Sequence, residues 1–255
     1  MNRLGGLALF TLAYFVILEV LLVGAVLFWP SFSTNLPAIK MMASSLAVVG
    51  DMVQAIDDKG ARAYIVGQHF FKGCCTLGTA AAVLFAAPAV AGEAHRGTLE
   101  LWLARPFSRT RLLFERYAAG ALALVLPIFL STVTIPALCA HVAEPQPQPY
   151  GPWLLAATHQ SIFLLAIYST TFLCSSLGSN PTKIALAVLF VTTFEFAVYM
   201  IKVLTHWSLF RLCDLQTLLD VVDDEALDAR LVGALLAWSV LCAFLARLAF
   251  LRRTP

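Results

Sequence analysis

Six long apolar runs, at residues 4–29, 73–92, 112–139, 153–177, 184–206 and 231–250, set what this chain can fold into. The hydrocarbon core of a bilayer needs roughly 20 mostly apolar residues per helical crossing, and each run reaches that length. No water reaches the backbone inside lipid, so each run must satisfy its own N–H and C=O groups, which predicts helices. Composition agrees: 60% of the 255 residues are hydrophobic and 13% are charged, against roughly 45–50% and 25% in soluble domains. The chain therefore reads as an all-α integral membrane protein with six transmembrane helices, one transmembrane domain over residues 1–255. No segment between the runs is long and polar enough to fold as a soluble domain. The first run follows Met-Asn-Arg but is much longer than the roughly 7–15 apolar residues of a secretory signal, so it reads as a retained span.

Orientation follows from basic residues in short connections. With the N-terminus inside, Arg3, Arg96, Arg105, Arg109, Arg111, Arg116, Lys183, Arg247, Arg252 and Arg253 fall in inner segments or span ends. Lys40, Lys59, Arg62, Lys72, Lys202, Arg211 and Arg230 fall outside, over much longer segments. Both termini are then cytoplasmic in a multi-pass protein of the cell (inner) membrane.

The long outer segment after the first run repeats Ile39, Met42, Leu46, Val49, Val53 and Ile56 at spacings of three and four. That pattern predicts an amphipathic helix lying on the outer membrane surface or over the bundle. Leu212, Leu215, Leu219 and Val222 repeat in the same way and lead into an acidic patch, Asp220 to Asp228. The patch reads as a solvated face or as a cation trap. Cys74, Gly78, Ala82 and Ala86 form a small-residue ladder in the second run, suited to close helix approach within one subunit or across a dimer seam. Pro88, Pro127 and Pro136 should bend their helices. The six cysteines show no CxxC or Cys/His ligand spacing and read as small packing residues. No metal site is expected.

Ionisable residues within a span are costly, about 2.5–3.5 kcal/mol for a charge at the centre of a helix. Glu19 in the first run and Glu195 in the fifth stand out, with His159 near the outer end of the fourth. They are candidates for a substrate path, binding a cation or carrying protons. The alternative is structural: protonated carboxyls bonded to neighbours, such as Thr192 or Tyr199 for Glu195, and interhelical hydrogen bonds from His159 and Gln160. Arg247 reads as a residue that snorkels to the headgroups.

Between the second and third runs lies GEAHRGTLELWLARPFSRTR, residues 92–111. Leu99, Trp102 and Leu103 share one helical face, and the residue before Pro106 is biased away from helix, so a short amphipathic helix should end near Arg105. Ser108 can cap the third span, with Phe107 packing on Leu112. On pattern alone this loop is a docking element or an interfacial helix anchored by Trp102.

The order Gly92-Glu93, Gly97-Thr98-Leu99-Glu100, Arg105-Pro106, Ser108-Arg109 resembles the permeases of type-2 ATP-binding cassette (ABC) transporters. In that family the pattern also sits between the second and third of six spans. The resemblance implies a coupling helix that docks on a separate ATPase subunit. Glu93 and Glu100 would contact or orient the ATPase interface, Trp102 would belong to the same coupling segment, Gly97 and Thr98 would shape the entry to the helix, and Pro106 to Arg109, with Ser108, would set its exit into the third span. It further implies a permease homodimer or heterodimer in the lipid bilayer with two ATPase copies that bind ATP and Mg, and a second inner contact near residues 179–183. No cofactor in this chain and no nucleic-acid partner are implied. Family members often begin with a longer charged elbow, whereas here the first span begins almost at Met1. The chain has no G-x-x-x-x-G-K-[ST], H-E-x-x-H or G-x-S-x-G motif, so neither ATP hydrolysis nor hydrolase chemistry is expected within it. Export driven by a partner ATPase is the function implied. An ABC-type assembly or maturation factor and an intramembrane enzyme using Glu19, Glu195 or His159 are the alternatives.

Overall fold

The computed structural model describes residues 3–43, 45, 47–99, 108–142 and 149–253. Among them the regular structure is helical, and six helices are long and apolar enough to cross a membrane: Gly5–Thr34, Ala61–Ala86, Arg109–Ala140, Tyr150–Leu177, Pro181–Tyr199 and Ala229–Leu251. These are spans one to six. Four match the apolar runs to within a few residues, while spans two and five do not.

Span two begins twelve residues before the apolar run at 73–92 and stops at Ala86 instead of continuing. Its first part carries Gln68, His69 and Lys72, which mask the helix from a hydrophobicity reading. Residues Val66–Leu77 are wound as a π-helix, so groups five apart stack: Cys74 Sγ lies 3.7 Å from His69 Nε2. Pro88 does more than bend this helix. It lacks an N–H, and helix gives way to a turn over 87–90 before a short helix at Ala91–His95. Pro127 and Pro136, by contrast, sit inside one continuous helix, Arg109–Val142.

Span five ends at Tyr199 rather than near His206. The chain then folds back beside it: Thr205 Oγ1 donates to Tyr199 O at 2.9 Å and Ser208 Oγ to Glu195 O at 2.7 Å. Two 3₁₀ turns, Thr205–Trp207 and Leu209–Cys213, lead into the helix Leu215–Asp223. Leu215, Leu219 and Val222 of the repeat are buried, together with Leu218 and Val221, while Leu212 before the helix is half-buried.

Span four is the axis of the bundle. It packs against spans two, three, five and six, while span one packs against spans two and three. Trp153, Phe163, Tyr168 and Phe172 of span four are fully buried. The buried hydroxyls of Thr171 and Ser176 cost little, because they donate to carbonyls four residues back. Helices approach closely at two glycines: a Cβ on Gly78 would meet Leu164 Cδ1 at 2.5 Å, and one on Gly120 would clash with the Tyr168 hydroxyl. Cys74, Gly78, Ala82 and Ala86 are all buried, so the small-residue ladder is used within the chain.

The far-side amphipathic repeat forms two helices, Leu36–Ala43 and Ala47–Lys59. Val48, Val53 and Ile56 are buried, but Met42 is 76% exposed. Leu46 lies outside the described residues. Lys40 pairs with Asp57 at 2.6 Å, and Asp223 of the acidic patch pairs with Lys59 at 2.7 Å and Arg62 at 3.4 Å.

Gly120→Ala should therefore push Tyr168 off its contact with the Tyr117 carbonyl, 3.1 Å away. We expect a loss of about 1–3 kcal/mol, typical of overpacking, read as a lower melting temperature of the purified protein in detergent.

Candidate functional site: the loop base between spans two and three

The break at Pro88 leaves backbone groups that a continuous helix would have paired. One side chain from span four supplies their partners. Ser175 Oγ accepts from Val90 N and Ala91 N, both at 3.0 Å, and donates to Ala87 O at 2.7 Å. This single hydroxyl, buried at 0% exposure, fixes where the loop leaves the bundle.

The short helix Ala91–His95 closes in a Schellman motif. Thr98 N donates to Glu93 O at 3.0 Å and Gly97 N to Ala94 O at 3.2 Å. Gly97 has φ +68°, the left-handed conformation that favours glycine at this position. The same turn brings back the Glu93 side chain, which is only 8% exposed. A buried carboxylate needs charged or hydrogen-bonding partners. Arg96 Nη2 lies 3.0 Å from Glu93 Oε1, Arg116 Nη2 lies 3.8 Å from the same oxygen, and the Thr98 hydroxyl donates to Oε2. Glu93 thus ties the short helix, the turn after it and the first turns of span three into one unit.

Ser108 Oγ accepts from Arg111 N at 3.3 Å, the cap expected at the start of span three. Arg109 reaches across to the end of span six, donating to Arg253 O at 2.7 Å and Leu251 O at 3.4 Å. Arg253 donates to Gly178 O in the turn between spans four and five, and burial lowers the pKa of its guanidinium. Arg247 does not simply snorkel: its Nε donates to Thr110 Oγ1 at 3.2 Å. The start of span three, the end of span six and the turn between spans four and five are therefore joined on one face, the loop face.

Of the sequence candidates, Glu93, Gly97 and Thr98 meet in one constellation, with Ser108 and Arg109 beside it at the base of span three. Glu100, Trp102 and Pro106, with the amphipathic helix, lie outside the described residues. The partners Ser175, Arg116 and Arg253 were not singled out by sequence. Nothing local distinguishes Ser175 from its neighbour Ser176 late in span four, and Arg116 looks like any basic residue at a span end.

The family model for ABC-2 family transporter proteins matches residues 5–213. The chain belongs to the ABC-2 family. No curated protein matches it. This ABC-2 chain is accordingly a multi-pass membrane component of an ABC transporter.

Glu19, Glu195 and His159 do not converge. Glu19 accepts from Thr134 Oγ1 in span three, at 3.1 and 3.3 Å to its two oxygens. Glu195 takes neither Thr192 nor Tyr199 as partner. Because the chain folds back after Tyr199, its Oε2 instead accepts from Leu209 N at 3.1 Å. His159 Nε2 bonds Leu212 O at 2.8 Å, and Cys213 Sγ donates to Gln160 Oε1 at 2.6 Å; burial pushes the Cys213 thiol up. Two of the three thus hold the fold-back segment. A further buried cluster escaped notice because its histidine precedes the apolar run: His69 Nε2 lies 3.4 Å from Thr132 Oγ1 and 3.5 Å from Ser131 Oγ. Both hydroxyls donate to Ile128 O. Among the described residues, no three His, Cys, Asp or Glu are grouped to hold a metal ion.

Ser175→Ala should leave two buried N–H groups and a carbonyl without partners, lowering stability by about 2 kcal/mol or more. Hydrogen exchange at Val90 and Ala91 should rise with it. Gly97→Ala should cost about 1 kcal/mol, since alanine pays to occupy positive φ; thermal melting of the purified protein checks both.

Proposed function

We propose that this chain is the permease subunit that couples ATP hydrolysis in a separate ATPase subunit to export across the cell membrane. The observation that supports it is the braced loop base: Glu93, buried and bonded to Arg96, Thr98 and Arg116. A plain connector needs no buried carboxylate. A lever does, because a push on the loop must reach span three without being absorbed by a flexible hinge.

In this reading the loop face is cytoplasmic, as basic density in its short connections implies, and both chain ends lie there. Two permease copies and two ATPase copies assemble, with ATP and Mg held by the ATPases. Residues 99–107, including Glu100, Trp102 and Pro106, enter the ATPase groove. ATP binding moves that segment. Glu93 and the Gly97 turn pass the motion to span three, and Arg109 carries it to the end of span six and, through Arg253, to the turn before span five. Glu93 then acts as a positioning residue behind the docking surface rather than as a contact on it.

The test is co-expression with the cognate ATPase. Glu93→Ala combined with Glu100→Ala should abolish stimulation of ATP hydrolysis by the permease, and Glu93→Ala alone should reduce it about tenfold, equivalent to about 1.4 kcal/mol of lost coupling. Full stimulation in the double variant would exclude the coupling assignment.

A further inference from the structure

On the face opposite the loop, a cavity of about 460 Å³ opens between the helix Ala47–Lys59 and the fold-back segment after span five. Its size falls within the range of small-molecule sites. Val48, Met52, Ala55 and Leu215 supply an apolar wall, while Lys202, His206, Arg211, Asp214 and Asp220 supply charge or hydrogen-bonding capacity.

Most of these polar groups have structural work. Lys202 pairs with Asp51 at 3.1 Å, and Asp214 Oδ1 caps the helix Leu215–Asp223 by accepting from Thr217 N at 2.9 Å. Asp220 accepts only a neutral amide hydrogen bond, from Gln216 Nε2 at 2.7 Å. Among the described residues the Arg211 side chain has no hydrogen bond or ion pair, although it lines a cavity with two carboxylates not paired to a cation. The cavity therefore presents a free guanidinium and free carboxylate capacity beside an apolar wall. That combination matches a ligand bearing an anion, a cation and an apolar body.

The depth of the cavity favours a membrane source. Tyr199, which lines it, ends span five. Its 19 residues extend about 28 Å at 1.5 Å per residue, close to the roughly 30 Å hydrocarbon thickness. The adjoining Val203 is 77% exposed and Trp207 81% exposed, the apolar and aromatic surface expected at a headgroup boundary. Lys202 and His206, their neighbours in sequence, face the cavity.

We propose that this cavity binds the zwitterionic headgroup of an aminophospholipid, with the phosphate on Arg211, the ammonium on Asp220 and the glycerol and upper acyl region along Met52 and Leu215. The proposal does not rest on ATP coupling: it concerns the opposite face, and binding is measured on the permease alone.

The experiment is native mass spectrometry of the full chain released from nanodiscs of phosphatidylethanolamine with phosphatidylglycerol, or phosphatidylglycerol alone. A parallel arm titrates soluble phosphoethanolamine against the detergent-purified chain by thermophoresis. Phosphatidylethanolamine should be retained in preference to phosphatidylglycerol. Arg211→Ala and Asp220→Asn should each lower its occupancy about tenfold, as loss of one charge-assisted contact implies, whereas Arg230→Ala, on the same face but outside the cavity, should not. Phosphoethanolamine displacing the lipid would further support headgroup recognition. Binding of phosphoethanolamine without retention of the lipid would overturn the membrane source. Equal retention of both lipids, unchanged retention in the two cavity variants, or an equal loss in Arg230→Ala would overturn the site.

Discussion

Every backbone N–H and C=O taken out of water must find its partner within the chain, and the structure is organised around that requirement. Where the sequence allows unbroken helix, the requirement is met locally. Two places among the described residues where it is not are informative. At Pro88 the helix stops inside the bundle, and Ser175 takes up the backbone groups left over. After Tyr199 the chain folds back on span five, where Glu195 and His159 pair with its irregular backbone and its own Ser208 hydroxyl donates to the Glu195 carbonyl. Glu195 and His159, which look costly in a span, are thus the partners of chain that is not α-helical.

These two breaks lie at opposite faces, and span four serves both. Its end nearer the loop carries Ser175, and its other end carries His159 and Gln160, which hold Leu212 and Cys213. Span four is also the most buried span and packs against four others. A displacement of the loop base therefore meets a rigid centre rather than a soft one. Gly78 and Gly120 permit that density by admitting Leu164 and Tyr168 where a larger side chain would clash.

Charge is distributed differently on the two faces. On the loop face arginines bond to carbonyls and to the buried Glu93, joining the ends of separate spans. On the opposite face, exposed lysine–aspartate pairs such as Lys40–Asp57 fasten surface helices; exposed pairs of this kind contribute little each, about 0–1 kcal/mol. The first arrangement suits transmission of motion, the second a surface that can yield around a ligand.

Apolar run length determined the helical class and four of the six spans, because lipid leaves no alternative to helix for runs of that length. Spacing alone located the Ser108 cap, since it depends on neighbours within a few residues, whereas the turn at Gly97 closing the helix Ala91–His95 came only with the structure. Sequence misplaced span two, whose first part is interrupted by Gln68, His69 and Lys72 although its apolar residues pack in the bundle, and span five, whose end depends on a segment that returns to cover it. Only the tertiary structure decided that Glu93 faces inward to Arg116, that Ser175 repairs the break at Pro88, that Glu195 and His159 hold one folded-back segment, and that Arg109 reaches the end of span six. Each of these joins residues far apart in the chain, and such pairings are fixed by how the helices pack, which no local pattern of residues encodes.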